Sequence, residues 1–85
     1  MKRADIIRLV KATVADFAEE RCIDLSDELK NDLGLDSLDI VEIAIAIESH
    51  DAIEKKITIS EEDTDSWVSV KDIVNNVCTL LEIKD

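Results

Sequence analysis

The chain has 85 residues, with 21 Asp and Glu against 10 Lys and Arg, and its formal net charge is -11. This length suits one small domain, whose core leaves little room for a deep enzymatic cleft. The negative charge repels phosphate backbones and anionic lipid headgroups, so nucleic acids and membranes are poor partners and a basic protein surface is a good one. With no long apolar run and no Cys/His cluster, we expect a cytoplasmic monomer in which Cys22 and Cys78 are reduced, small, partly buried apolar side chains.

The first half of the chain predicts one helix followed by a long loop. Apolar residues recur at helical spacing from Asp5 to about Glu20 and predict an amphipathic helix. Residues 21–36 have no sustained period and are rich in turn-forming residues, with a short turn expected at Asp27–Lys30. Leucines in this loop are expected to pack onto the core, and they are Leu25, Leu29, Leu33 and Leu35.

Three further helices are predicted in the second half. The second runs from Ser37 to about Lys55, with Asp36 or Ser37 as its cap. A short third helix is expected at Glu61–Ser66, where Ser60 and Asp63 resemble a capping box. The last is expected from about Val70 to Leu81. The prediction is therefore an all-α domain with three longer helices and one short helix.

The segment Asp32-Leu33-Gly34-Leu35-Asp36-Ser37-Leu38-Asp39 carries the chemistry of the chain. It places a serine in the first turn of a helix, where backbone N–H groups have no partner within the helix. Such an end favours a phosphate group, and Gly34 allows the preceding backbone to turn sharply. Ser37 is therefore a candidate site for a phosphodiester.

The helix that Ser37 opens has two apolar stripes. At 100° per residue from Ser37, one stripe lies at about 240–300° and the other at about 40–100°. The first consists of Ile40, Ile43 and Ile47, and the second consists of Leu38, Val41 and Ile45, bordered by Glu42 and Glu48. One stripe is enough to dock a helix on its core, so the second predicts either a contact surface for another protein or a helix buried on most sides. No Lys or Arg occurs from residue 31 to residue 54.

Catalysis and a dedicated metal site are disfavoured. The only histidine is His50, and in one continuous helix it would lie roughly 20 Å along the axis from Ser37, too far to act as its base. The Asp63–Trp67 segment begins like a calcium loop but lacks the third acid and the glycine. A hydrolase and a specific calcium site are thus distant alternatives.

The residue 32–39 motif, the acidic helix after it and the chain length together resemble the acyl carrier protein family. The resemblance covers essentially the whole chain as one domain, 1–85, and is strongest over residues 32–48. It implies a four-helix bundle with a long first loop. It also implies that Ser37, flanked by Asp36 and Leu38, carries 4′-phosphopantetheine donated from coenzyme A by a separate transferase, and that the chain is not itself an enzyme.

Acyl groups would travel as thioesters on the arm, and the Ser37 helix would be the recognition surface for acyl-transferring and condensing enzymes. The partner-binding residues that the resemblance implies are Asp36, Leu38, Asp39, Val41, Glu42, Ile45 and Glu48. The chain departs from the family pattern in the longer Asp51–Thr58 segment and at Ser60, which replaces the usual proline. Fatty-acid synthesis and a specialised polyketide, lipid or amino-acyl pathway both remain open. The alternative function is an unmodified acidic module that docks basic partners through Ser37–Glu48.

Overall fold

The computed structural model describes residues 1–19, 22–53 and 55–83, and these residues form four α-helices. In chain order the helices are α1 (Arg3–Ala18), α2 (Ser37–Glu48), α3 (Glu61–Asp65) and α4 (Val70–Leu80). The described ranges contain no β-strand, only one isolated bridge between Glu28 and Ser69. The predicted all-α fold, with a short third helix and a long first loop, is confirmed.

One core lies between the helices. Helix α1 packs against α4 and α2, and α3 packs against α2. Each longer helix contributes a stripe of fully buried side chains at helical spacing, which removes apolar surface from water. The stripes are Ile6, Val10 and Val14 from α1, Ile43 and Ile47 from α2, and Val70, Ile73, Val74 and Val77 from α4.

The second helix ends at Glu48, so the predicted end near Lys55 is wrong. The Ser49 hydroxyl donates to the carbonyl of Ile45 at 2.9 Å, and the His50 backbone N–H donates to Ile47 O at 3.2 Å. Short polar side chains of this kind compete with the helical hydrogen-bond ladder and favour helix ends.

The connection after α2 is held by buried isoleucines instead of by a helix. Ile53 and Ile57 are both buried, and Ile59 packs against the core from a partly buried position. Residues 49–55 contain neither glycine nor proline, the usual signals of a helix end, which explains why the sequence predicted a longer helix. Glu54, within the predicted helix, lies outside the described residues.

The other helix ends differ from the predictions by one or two residues, which is the usual uncertainty of a helix boundary. Helix α1 begins at Arg3 and stops at Ala18, with Glu19 in the left-handed region at φ 57°, and Glu20 lies outside the described residues. Ser66 and Leu81 follow α3 and α4 as C-caps. Cys78 is buried, but Cys22 is exposed, so the expected partial burial of Cys22 is wrong.

The first loop packs down through its leucines, as predicted. Leu29 is fully buried and Leu35 nearly so, while Leu25 and Leu33 pack against the core from partly buried positions. The Leu29 N–H donates to Val68 O at 2.9 Å, which ties the loop to the segment before α4. The loop is therefore an ordered part of the fold that leads directly into α2.

Asp24 in the first loop and Asp72 in the first turn of α4 accept backbone hydrogen bonds on their carboxylates, which lower their pKa values. Hydrogen bonds from the backbone N–H groups of Ser69 and Val68 hold the pKa of Asp72 below its ordinary value. The Ser26 backbone N–H has the same effect on the pKa of Asp24. Because both pKa values are depressed, the two ionised carboxylates stabilise the folded state at neutral pH. This stabilisation is lost as the pH falls through each lowered pKa.

Candidate functional site

The start of α2 is fixed by a reciprocal pair of hydrogen bonds between Asp36 and Asp39. The Asp36 carboxylate accepts from the Asp39 N–H at 2.9 Å, and the Asp39 carboxylate accepts from the Asp36 N–H at 3.2 Å. This is a capping box with aspartate at both positions. Of the two candidate caps, the structure selects Asp36, and Ser37 becomes the first residue of the helix.

Ser37 is exposed at the first position of α2, and its hydroxyl and the nearby backbone N–H groups are available for hydrogen bonding. Within the described part of the chain, its hydroxyl makes no hydrogen bond, and neither do the backbone N–H groups of Ser37 and Leu38. Those groups belong to the first turn, which lacks intrahelical acceptors and carries the positive end of the helix dipole.

The first turn of α4 provides an internal comparison. There the N–H of Val70 donates to Asp27 O at 3.0 Å, and the N–H of Lys71 donates to Leu25 O at 2.9 Å. The loop thus saturates the start of α4 and leaves the start of α2 open. An anion bonded to Ser37 would therefore meet two available N–H donors at the start of α2, whereas the corresponding N–H groups of α4 are already used.

The turn into α2 depends on a left-handed residue at Gly34. Its φ is +66°, a conformation that costs a residue with a Cβ about 1–2 kcal/mol. A Cβ built there would meet nothing within 4 Å, so the requirement comes from the backbone and not from lack of space. The next residue, Leu35, is buried and its N–H donates to Leu29 O at 2.9 Å, which anchors the turn just before the cap.

The structure separates the two apolar stripes of α2. The stripe of Ile40, Ile43 and Ile47 faces the core, each residue being at most 5% exposed. The other stripe faces solvent, with exposed fractions of 65% for Leu38, 45% for Val41 and 55% for Ile45. The interpretation of α2 as a helix buried on most sides is wrong, because three large apolar residues are exposed on one face of a twelve-residue helix.

The acidic residues assigned to the docking surface have different environments. Asp36 and Glu42 are exposed, and Asp39 is half-buried in the cap. Glu48 is also half-buried, and its carboxylate accepts from the backbone N–H of Ile59 at 2.6 Å. Glu48 is therefore engaged within the chain, an arrangement that sequence periodicity had no signal to reveal.

Among the described residues, no histidine lies near Ser37, and the carboxylates of Asp36 and Asp39 beside it are engaged in the cap. His50 lies beyond the opposite end of α2 from Ser37, and its Nδ1 accepts from the Ala52 N–H at 3.1 Å. Helix α2 has twelve residues and is therefore roughly 18 Å long, and this length lies between Ser37 and His50. Across residues 1–19, 22–53 and 55–83, no three His, Cys, Asp or Glu side chains are placed to hold a metal ion.

One exposed apolar residue was missed by the sequence analysis. Val68 is 60% exposed and borders a cleft between the first loop and the α3–α4 connection. It precedes α4 in a segment with no helical period, so no pattern predicted its exposure. In the described ranges, moreover, no helix is sufficiently long and apolar to cross a bilayer.

Comparison with known proteins agrees with this geometry. Residues 5–77 match a family model described as "Phosphopantetheine attachment site". The chain is 35% identical over 77 residues to the acyl carrier protein of Coprothermobacter proteolyticus, covering 88% of this chain and 89% of that protein. It is 32% identical over 73 residues to the acyl carrier protein of Campylobacter jejuni subsp. doylei, covering 84% and 90% of the two chains.

The chain belongs to the acyl carrier protein family. Members of this family are non-catalytic carriers with a covalently attached 4′-phosphopantetheine, and this chain is such a carrier. The residues around Ser37 fit the group, since the hydroxyl is exposed and two first-turn N–H donors are available for its phosphate.

The cap can be tested apart from the attachment. We expect Asp36→Ala to lower the free energy of unfolding by about 1 kcal/mol, because the Asp39 N–H loses its acceptor. Asp36→Asn, which keeps an acceptor, should change it by only a few tenths of a kcal/mol. Urea denaturation followed by circular dichroism measures both.

Asp51→Ala is the matched control, since it removes an exposed carboxylate outside the helices and changes the net charge by the same amount. Asp51→Ala should change the free energy of unfolding by no more than about 0.5 kcal/mol. Equal effects of Asp36→Ala and Asp51→Ala would contradict the capping role.

Proposed function

We propose that Ser37 is the attachment residue of the phosphopantetheine arm and that the chain carries acyl intermediates as thioesters on that arm. The observation that supports this most strongly is the open start of α2. There an exposed serine occupies the first helical position beside two N–H groups without partners in the described residues. When bound, the arm supplies a terminal thiol on a flexible tether, which raises the effective concentration of its cargo at a docked active site.

The transfer of the arm requires a second protein. A bond forms between Ser37 Oγ and phosphorus as the pyrophosphate P–O bond of coenzyme A breaks, and the adenosine bisphosphate half leaves. The hydroxyl proton needs a base. Among the described residues, His50 lies at the far end of α2, and the two carboxylates beside Ser37, those of Asp36 and Asp39, already accept backbone hydrogen bonds in the cap. The base is therefore assigned to a phosphopantetheinyl transferase, for which this chain is a substrate.

The docking surface we propose is the exposed face of α2. Its apolar centre consists of Leu38, Val41 and Ile45, and Asp36, Asp39 and Glu42 form the acidic border beside Ser37. An apolar centre with a charged rim is typical of transient protein interfaces. Rim carboxylates speed encounter with a basic patch and orient it, and exposed ion pairs add only about 0–1 kcal/mol each. A carrier can thus bind several enzymes in turn and leave each one.

The pathway we propose is fatty-acid synthesis or a specialised polyketide, lipid or amino-acyl pathway, with acyl-transferring and condensing enzymes as partners. The chain would act as a monomer in the cytoplasm. The net charge of -11 supports partners with basic surfaces over nucleic acids or membranes.

The attachment is tested by intact mass. We expect the purified protein, incubated with coenzyme A and a phosphopantetheinyl transferase, to gain the mass of one arm. Ser37→Ala should gain nothing, because the acceptor hydroxyl is gone. Ser49→Ala is the matched control, as it removes an exposed serine hydroxyl at the other end of α2, and it should gain one arm.

An unmodified wild type, with the transferase active on another carrier, would favour the alternative function of an acidic interaction module. An equal gain on Ser37→Ala would place the arm elsewhere. Either result contradicts the proposed attachment.

The acidic rim is tested by charge reversal. We expect Glu42→Lys to lower kcat/KM for arm transfer by roughly fivefold or more, because a lysine on this face repels a basic partner. Asp16→Lys changes the net charge equally at an exposed position of α1 and should leave kcat/KM nearly unchanged.

Raised ionic strength should narrow the difference between wild type and Glu42→Lys, since salt screens exposed charges. An effect of Asp16→Lys as large as that of Glu42→Lys would contradict a localised docking surface. If the difference in kcat/KM between wild type and Glu42→Lys did not change with salt, an electrostatic basis for docking would be contradicted.

A further inference from the structure

Glu48 differs from the other acidic residues of α2 in its position and its partner. It is the last residue of the helix, where the dipole disfavours a negative charge, and the last turn carries no basic residue. Its carboxylate is half-buried and accepts from the Ile59 N–H at 2.6 Å. A charged acceptor at this distance makes a strong hydrogen bond, which offsets the unfavourable dipole.

The Glu48–Ile59 bond also has a distinct place in the fold. Among the described residues, it is the one hydrogen bond that joins α2 to the segment 55–66. Ile59 immediately precedes Ser60, the cap of α3. Helix α3 has five residues, too few to be stable without tertiary support. On its other side, Asn76 of α4 donates to Asp63 and accepts from the Trp67 indole N–H.

Helix α3 adds a dense group of charges beside α2. Four of its five residues are acidic, and Glu61, Glu62 and Asp65 are exposed. Since α3 packs against α2, the entry of the chain into α3 determines where these carboxylates lie relative to the exposed face of α2.

We propose that Glu48 is a positioning residue that fixes α3 against α2 through the Ile59 amide, and that it does not bind partners through its charge. This refines the docking surface and rests on the proposed function, since the partners are those that dock on α2. Hydrogen-bond acceptance and charge are therefore separable at position 48. Docking should tolerate loss of the charge and should not tolerate loss of the acceptor.

Amide hydrogen exchange, measured by NMR on the unmodified protein, tests the hydrogen bond. We expect Glu48→Ala to speed exchange of the Ile59 N–H by about tenfold or more relative to wild type, because its acceptor is removed. Glu48→Gln, whose carboxamide oxygen can accept, should stay within about threefold of wild type. The buried Val74 in α4 reports global unfolding and should change less than Ile59 in Glu48→Ala.

Arm-transfer kinetics test the consequence for docking, with Glu42 as the matched control because it is exposed on the same helix. We expect Glu48→Gln to keep the wild-type kcat/KM and Glu48→Ala to lower it severalfold. Glu42→Gln and Glu42→Ala should lower kcat/KM about equally, by up to about fivefold, because position 42 acts through its charge alone.

Three results would overturn the proposal. They are unchanged Ile59 exchange in Glu48→Ala, an equal rise at Ile59 and Val74, and a loss of kcat/KM in Glu48→Gln as large as that in Glu42→Gln. Wild-type kcat/KM in Glu48→Ala would equally refute a role in docking. If wild type accepts no arm, the proposed attachment fails, and the exchange measurement still decides the role of Glu48.

Discussion

The reciprocal hydrogen bonds between Asp36 and Asp39 are the constraint on which the site depends. They set the first residue of α2 and therefore the rotational phase of every residue that follows. Ser37 occupies the first helical position because the cap lies immediately before it. Both carboxylates are used in the cap, and the first-turn N–H groups of Ser37 and Leu38 stay available to a phosphate.

The rotational phase of α2 gives the helix one apolar face toward the core and another toward solvent. Ile40, Ile43 and Ile47 bury their side chains in the core and hold α2 in place, while Leu38, Val41 and Ile45 remain exposed. A large apolar face in water is unfavourable in an isolated domain, and such faces in soluble proteins commonly bind partners. In the proposed function, the surrounding carboxylates select basic partners. Stability and the proposed recognition are thus divided between opposite sides of α2.

The sequence was sufficient for the parts that depend on local patterns. Helical patterning predicted the three longer helices, and a capping-box pattern at Ser60 and Asp63 predicted the short third one. The leucines of the first loop predicted that it packs down. Turn chemistry located the start of α2 within one residue. Periodicity could not tell which stripe of α2 faces inward, because that depends on how α1 and α3 pack against it. The predicted α2 was too long because residues 49–55 contain no glycine or proline to mark its end. The bond from Ile59 to Glu48 spans eleven positions and a chain reversal, so no local signal predicted it.

The central claim is that Ser37 carries the arm, and peptide mapping of the protein isolated from its own cells tests it most directly. Trypsin cleaves after Lys30 and Lys55, and the peptide between them contains two serines, Ser37 and Ser49. The account predicts that tandem mass spectrometry finds the phosphopantetheine arm on this peptide, with fragment ions that place it on Ser37. An arm on Ser49, or a peptide that is unmodified throughout, would contradict the account.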